Sequence, residues 1–343
     1  MPLMIESASL APPVQNLQDR RECRGSIRDR GRRLRIAFVN NMPDAALYAT
    51  ERQFAQLIEA ASGEFDIRLT LVSLDTMPRG KEVRAAISET YRDAKQLRLA
   101  SPDALVMTGA EPGAEHLPDE PFWAELTALM DWSRGGVVSA LYSCLAAHAA
   151  AYHRDGIPRR KLMQKLSGVY ESEIVLVHEM TEGLTRISVP HSRYNSLAEC
   201  DLDAKGYLTL ARSPEAGADV FVKESRILEV FWQGHPEYNS DTLAREYRRD
   251  ILRFLNGERA LAPKAPAHYF DAEALARIEA ALEAADSSGI ETVAAALNPE
   301  ALSPATALWR ETATQLMRNW LGAIARRKSA GESNEFATAR WGG

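Results

Sequence analysis

An apolar run that breaks into an alanine-rich stretch at a single cysteine constrains this chain more than any other feature. Gly135-Gly136 precede Val137-Val138-Ser139-Ala140-Leu141-Tyr142-Ser143, and Cys144 is followed by Leu145-Ala146-Ala147-His148-Ala149-Ala150-Ala151-Tyr152. A short apolar run behind glycines reads as a buried strand. The alanines read as a helix. Cys144 therefore stands where a strand turns sharply into a helix. Such an elbow holds a side chain out at the edge of a sheet and aims it at the helix N-terminus, where the dipole favours a thiolate. Most intracellular cysteines are buried small hydrophobes, so the elbow needs companions before it reads as catalytic. They lie downstream in Phe231-Trp232-Gln233-Gly234-His235-Pro236-Glu237-Tyr238: a strand end, then a base, then a carboxylate two residues on. Cys144, His235 and Glu237 supply a nucleophile, a base and an orienter.

Strand-like and helix-like segments alternate around the elbow. Residues 34–40 read as the first strand, and 50–61 as a helix capped by Thr50 with Phe54, Leu57 and Ile58 on one face. A strand over 65–74, a charged helix over 81–98, a buried strand over 104–107 and a helix over 121–133 follow. Residues 170–232 hold further β-rich stretches at 173–177, 186–189 and 219–224, and 241–255 reads as a helix returning to the sheet. The alternation predicts an α/β fold, a mostly parallel sheet with helices on both faces. Three regions result: a polar, Arg-rich leader over 1–33, a catalytic domain over 34–257, and a C-terminal helical extension over 258–343. The leader carries Arg20, Arg21, Arg24, Arg28, Arg30, Arg32 and Arg33; a solvated arm fits it better than a nucleic-acid contact. In the extension, 272–285 is an alanine-glutamate helix within what reads as a surface insertion over 272–297. A last helix over 306–327 carries Trp309, Leu316 and Trp320.

Composition narrows the class. A net charge of −6 argues against a general nucleic-acid binder. Cys23, Cys144 and Cys200 make no disulfide framework. The longest apolar stretch, 137–152, is short for a membrane span and contains Ser139, Ser143 and His148. No secretory signal is visible. A cytoplasmic enzyme without membrane or nucleic-acid partners is the expectation. His178-Glu179 lacks the second histidine of a zinc helix, and no glycine-rich phosphate loop occurs, so neither a metal nor a bound cofactor is expected.

Further blocks carry a resemblance. They are Asn41-Met42-Pro43, Thr108-Gly109-Ala110, Phe122-Trp123, Lys165-Leu166-Ser167-Gly168-Val169-Tyr170, Pro190-His191-Ser192-Arg193-Tyr194, Gly234-His235-Pro236-Glu237-Tyr238, Arg249-Asp250, Trp309-Arg310 and Asn319-Trp320-Leu321. With Cys144 they follow the order and near-spacing of the homoserine O-succinyltransferases, which the chain resembles from about residue 34 to 325. That family belongs to the homoserine O-acyltransferases of the class I glutamine-amidotransferase-like superfamily, with a flavodoxin-like sheet. The resemblance implies succinyl transfer from succinyl-CoA, as co-substrate, to the hydroxyl of L-homoserine in methionine biosynthesis. Its partners would be an acyl-CoA and a hydroxy amino acid, and a homodimer is compatible with it.

The chemistry also follows from the residue types. Thiolate attack on a thioester is nearly isoenergetic and gives a new thioester. His235 would take the thiol proton and later deprotonate the acceptor hydroxyl, while Glu237 holds the imidazole tautomer. Backbone N–H groups of Leu145 and of the Gly109-Ala110 loop would form the oxyanion hole. The resemblance alone assigns Lys165, Ser192 and Arg249 to substrate binding, with Arg249 on the amino-acid carboxylate. It likewise makes Gly113 the acyl-donor residue: glycine leaves room for the succinyl carboxylate, where glutamate would favour acetyl donors. Two departures border the site. Asp44-Ala45-Ala46-Leu47-Tyr48 replaces a pair of lysines found in many members, and Leu145 replaces a tryptophan. L-serine as acceptor and acetyl-CoA as donor therefore stay open. A glutaminase domain is a further alternative, against which stand the missing glycines of Gly-x-Cys-x-Gly and the Ala147-His148 pair.

Overall fold

A computed structural model describes residues 3–5, 33–284, 290–302, 304 and 307–340 of the chain, the last ten as backbone only. Its strands are β1 (Leu3–Ile5), β2 (Arg33–Val39), β3 (Asp66–Val72), β4 (Ala104–Met107), β5 (Ser139–Ser143), β6 (Arg160–Ile174), β7 (Arg186–Ser196), β8 (Leu208–Ser213), β9 (Gly217–Glu224) and β10 (Leu228–Trp232). They form one sheet in the order β1-β3-β2-β4-β5-β10-β9-β8-β6-β7. Neighbours from β1 through β10 in that order are parallel. Those from β10 to β7 are antiparallel.

The register of the parallel half positions the site. Val39 lies opposite Met107, Met107 opposite Tyr142, and Ser143 opposite Trp232. The segments that follow these strands therefore leave the sheet along one edge. That carboxyl edge is where open α/β sheets bind their ligands.

Alternation along each strand fills two cores. Ile36, Phe38, Leu141, Val230 and Trp232 face the helix Leu47–Ala61 and the C-terminal helix Arg310–Arg340. Ala37, Val39, Ala140, Tyr142 and Phe231 face the helices Trp123–Gly136 and Leu145–Asp155. The α/β class with a mostly parallel sheet and helices on both faces is thus the observed one. Among the described residues no helix is long and apolar enough to cross a membrane.

Several elements differ from the sequence expectation. Leu3–Ile5, inside the 1–33 leader, pairs with β3 as an edge strand. The arginines Arg20 through Arg32 lie outside the described residues. Thr50 is not a cap: the helix begins at Leu47, and Thr50 N donates to Ala46 O at 2.9 Å within it. The charged helix over 81–98 is two helices, Lys81–Ser88 and Ala94–Ala100. Asp93 starts the second with a capping box, accepting from Lys95 N at 2.8 Å and Gln96 N at 2.7 Å. The helices of the 272–297 stretch bury Ile278, Val293 and Leu297 against Leu243, Tyr247 and Ile251 of the helix Thr242–Leu255.

The last helix is a full layer of the fold. Ala313, Leu316, Met317, Trp320, Leu321 and Ile324 are buried under the parallel strands. Trp320 Nε1 donates to Ser139 Oγ at 2.8 Å, and that hydroxyl donates to Leu228 O at 2.7 Å, linking the helix to β5 and β10. Trp320→Ala removes a fully buried indole, a change that costs about 3–5 kcal/mol in packed cores. Denaturant unfolding should lose that much. A loss below about 1 kcal/mol would show the helix to be peripheral.

Candidate active site

One backbone hydrogen bond closes the elbow. Cys144 N donates to Trp232 O at 2.7 Å. Cys144 itself adopts φ 52° and ψ −115°, a conformation side chains avoid. The helix Leu145–Asp155 begins at the next residue. Its first amides, Leu145 N–H among them, have no acceptor inside the helix. Gly109 leans on this amide: a Cβ there would stand 3.1 Å from Leu145 N and 3.5 Å from Cys144 Cβ. Any side chain at 109 would cover the amide. Asn41 holds the 108–110 loop in place, its N–H donating to Thr108 Oγ1 at 2.8 Å and its Nδ2 to Thr108 O at 3.1 Å. Of the predicted oxyanion group, Gly109 thus lies against the Leu145 amide and Cys144, and Ala110 is the next residue of the same loop.

His235 and Glu237 follow β10 on the same edge. His235 N donates to Pro190 O at 2.7 Å. Its Nδ1 lies 2.8 Å from Glu237 Oε1, the geometry of an N–H donating to a carboxylate. The Cys144 sulfur lies close enough for its charge to act on this ring. Burial alone would lower the pKa of this ring. The charges of Cys144 and Glu237, and hydrogen bonds to both, outweigh it and raise the pKa well above the ordinary histidine value. Tyr238 stacks on the imidazole with ring centroids 4.3 Å apart.

Gly234 permits the close packing behind the histidine. A Cβ at 234 would fall 2.4 Å from Val189 Cγ1 and 2.9 Å from His191 Nε2. His191 belongs to a buried polar row. Arg193 Nε donates to His191 Nδ1 at 3.2 Å, His191 Nε2 stands 3.4 Å from Asp219 Oδ1, and Ser172 Oγ donates to Asp219 Oδ2 at 2.9 Å. Burial lowers the His191 pKa despite the opposing pull of Asp219. His148, one turn into the elbow helix, is also neutral: burial drops its pKa to about 3. Its Nε2 meets Gln233 Oε1 at 3.0 Å, tying the elbow helix to the segment that carries His235.

Lys165, Ser192 and Arg249 converge on two carboxylates of the helix Thr242–Leu255, although they come from three elements. Lys165 Nζ reaches Asp250 Oδ2 at 2.9 Å and Glu246 Oε2 at 3.3 Å. Ser192 Oγ donates to the same Glu246 oxygen. Arg249 donates from Nε and Nη2 to Asp250 Oδ1 at 3.2 and 3.1 Å. Tyr238 OH donates to Glu246 Oε1 at 2.8 Å, which joins this group to the stacked His235. Burial would raise the pKa values of both carboxylic acids, but their cationic and hydroxyl partners lower them instead. Glu246 is the residue the sequence reading missed. Its signal was the four-residue spacing to Asp250, which places both on one helix face. Arg259 was missed as well; it adds 3.2 Å and 2.9 Å contacts to Asp250 Oδ2 and Tyr194 OH.

Gly113 opens on a cleft of about 490 Å³ lined also by Asn41, Met77, Glu111, Glu120 and Phe122. Nothing lies within 4 Å of where a Cβ at 113 would stand. The departing segment at Asp44 is held by Arg79. This arginine pairs with Asp44 Oδ1 at 3.2 Å and donates to Asn40 O and Met42 O at 2.9 and 3.0 Å. His178, Glu179 and Glu224 form a cluster elsewhere, but Arg326 and Arg327 already pair with its carboxylates.

A family model described as homoserine O-succinyltransferase matches residues 20–329. The homoserine O-succinyltransferase of Methylorubrum extorquens is 48% identical over 86% of this chain and 88% of its own. That of Rhodopseudomonas palustris is 45% identical over 94% of this chain and 96% of its own. A glutamine amidotransferase structure from Thermotoga maritima covers 85% of this chain and 98% of its own at a TM-score of 0.46 and 13% identity, too loose a likeness to bear on fold or function. The chain belongs to the homoserine O-succinyltransferase family.

Proposed function

We propose that this chain moves a succinyl group from succinyl-CoA to the hydroxyl of L-homoserine through a thioester on Cys144, in the cytoplasm and within methionine biosynthesis. The observation that carries the reading is the meeting of Cys144, His235 and Glu237 at one sheet edge. His235 takes the Cys144 proton, and the thiolate attacks the thioester carbonyl of succinyl-CoA. Negative charge on that oxygen is met by the Leu145 amide and the Gly109-Ala110 loop. The tetrahedral intermediate expels CoA thiolate, which receives the proton from the imidazolium. Homoserine then gives its hydroxyl proton to His235 and attacks the Cys144 thioester, and the cysteine leaves and is reprotonated.

Glu237 keeps the Nδ1 proton in place through both halves. Arg249 takes the α-carboxylate, and Asp250 orients its fork from one side. Lys165 and Ser192, set by Glu246, complete the amino-acid site. Gly113 and its cleft accommodate the succinyl carboxylate. No bound cofactor enters these steps.

Four substitutions test the reading. With succinyl-CoA and no acceptor, intact mass should show one succinyl group on the wild type and none on Cys144→Ala. Glu237→Gln should keep the fold and slow turnover by about 10²–10⁴-fold; an unchanged rate removes Glu237 from the triad.

Gly113→Glu should depress use of succinyl-CoA more than that of acetyl-CoA, since the new carboxylate faces the succinyl carboxylate. Equal losses for both donors would make Gly113 structural.

Arg249→Ala should raise KM for homoserine and for serine by about 10–100-fold, the scale of a lost hydrogen bond to a charged group. Acylation of Cys144 should stay near the wild-type rate. One methylene separates the acceptors and is worth only about 1–3 kcal/mol, so both should react and homoserine should lead. A serine preference beyond that range would reassign the acceptor.

A further inference from the structure

Glu237 uses only one of its two oxygens on His235. The other, Oε2, is buried and has no hydrogen-bond partner among the described residues. A buried carboxylate oxygen left alone is costly. A second orphan is Nη1 of Arg310, also buried and also without a hydrogen-bond partner among the described residues. Two anchors tie the start of the C-terminal helix to the segment just after Glu237. Trp309 Nε1 donates to Tyr238 O at 2.9 Å, and Arg310 Nη2 donates to Asn239 Oδ1 at 2.6 Å. Both acceptors lie within two residues of Glu237. Burial lowers the Arg310 pKa, and the charge of Glu237 opposes that shift.

We propose that Arg310, anchored to the segment just after Glu237, is the positive charge that balances this carboxylate and tunes the triad, a role that rests on the acyl-transfer reading for what His235 and Glu237 do. The guanidinium is fixed by its hydrogen bond to Asn239, two residues after Glu237. It also offsets part of the carboxylate's charge, which limits how firmly His235 holds its proton. That restraint matters because His235 must release a proton to the leaving thiol as well as accept one. Other groups facing the imidazole are Cys144 from the elbow, His191 from β7, Tyr238 stacked on the ring, and Glu246 with its partner Lys165. Arg310 is the positive group that answers the Glu237 charge.

The test follows the rate of Cys144 alkylation by iodoacetate against pH, read at the Cys144 peptide by mass. This anionic reagent reacts fast while the neighbouring imidazole is protonated, so the upper limb of the profile marks loss of the His235 proton. The readout needs neither acyl donor nor acceptor, and a failed substrate assignment would leave it intact. Arg310→Gln should move the upper limb to higher pH and lower kcat by roughly 10-fold, the low end of what losing an outer partner of a metal ligand costs, with KM for either substrate little changed. Arg310→Lys keeps the charge and should keep the wild-type limb. An unmoved limb in folded Arg310→Gln overturns the proposal. A displaced limb in Arg310→Lys does so as well.

Discussion

The hydrogen bond from Cys144 N to Trp232 O holds the whole site together. It joins the end of the nucleophile strand to the end of the strand that delivers the histidine. Without it, a non-glycine residue at φ 52° would relax, at a strain of about 1–3 kcal/mol for such conformations. Parallel pairing of β5 with β10 sets the bond up, because Ser143 and Trp232 are register partners one step before it. The nucleophile is thus aimed by the sheet, and the histidine follows three residues after the acceptor carbonyl.

Buried polar groups then fix what the elbow has aimed. His148 and Gln233 tie the elbow helix to the segment before His235, and Gln233 Oε1 also accepts from Leu197 N at 2.9 Å. The Arg193-His191-Asp219-Ser172 row braces the backbone at Gly234 from the other side. Within the row His191 Nε2 and Asp219 Oδ1 face each other at 3.4 Å without completing a hydrogen bond, so this link is made by proximity alone.

Much of this was legible in the sequence. The elbow could be read because its signals are local: glycines, an apolar run, then alanines. β4 was read to the residue, since four apolar residues between polar ones leave little choice. His235 and Glu237 were legible from their spacing after a strand. What escaped reading depends on distant partners. Leu3–Ile5 is too short to announce itself and exists as a strand only through β3. Thr50 looked like a cap, but the turn clamped by Arg79 starts the helix three residues earlier. Asp93 broke the charged helix through a capping box that charge counting overlooked. Glu246 was hidden because its role arises where three elements meet on one helix face. Arg310 was noted within a motif, yet its approach to Glu237 depends on how the C-terminal helix docks.

The central claim is that Cys144 carries the acyl group between two substrates that never react directly. Initial rates at crossed concentrations of succinyl-CoA and homoserine test it most directly. A covalent shuttle predicts parallel lines in double-reciprocal plots, with CoA released before homoserine binds. Lines that intersect would mean direct transfer within a ternary complex, and would contradict an elbow cysteine that carries the acyl group.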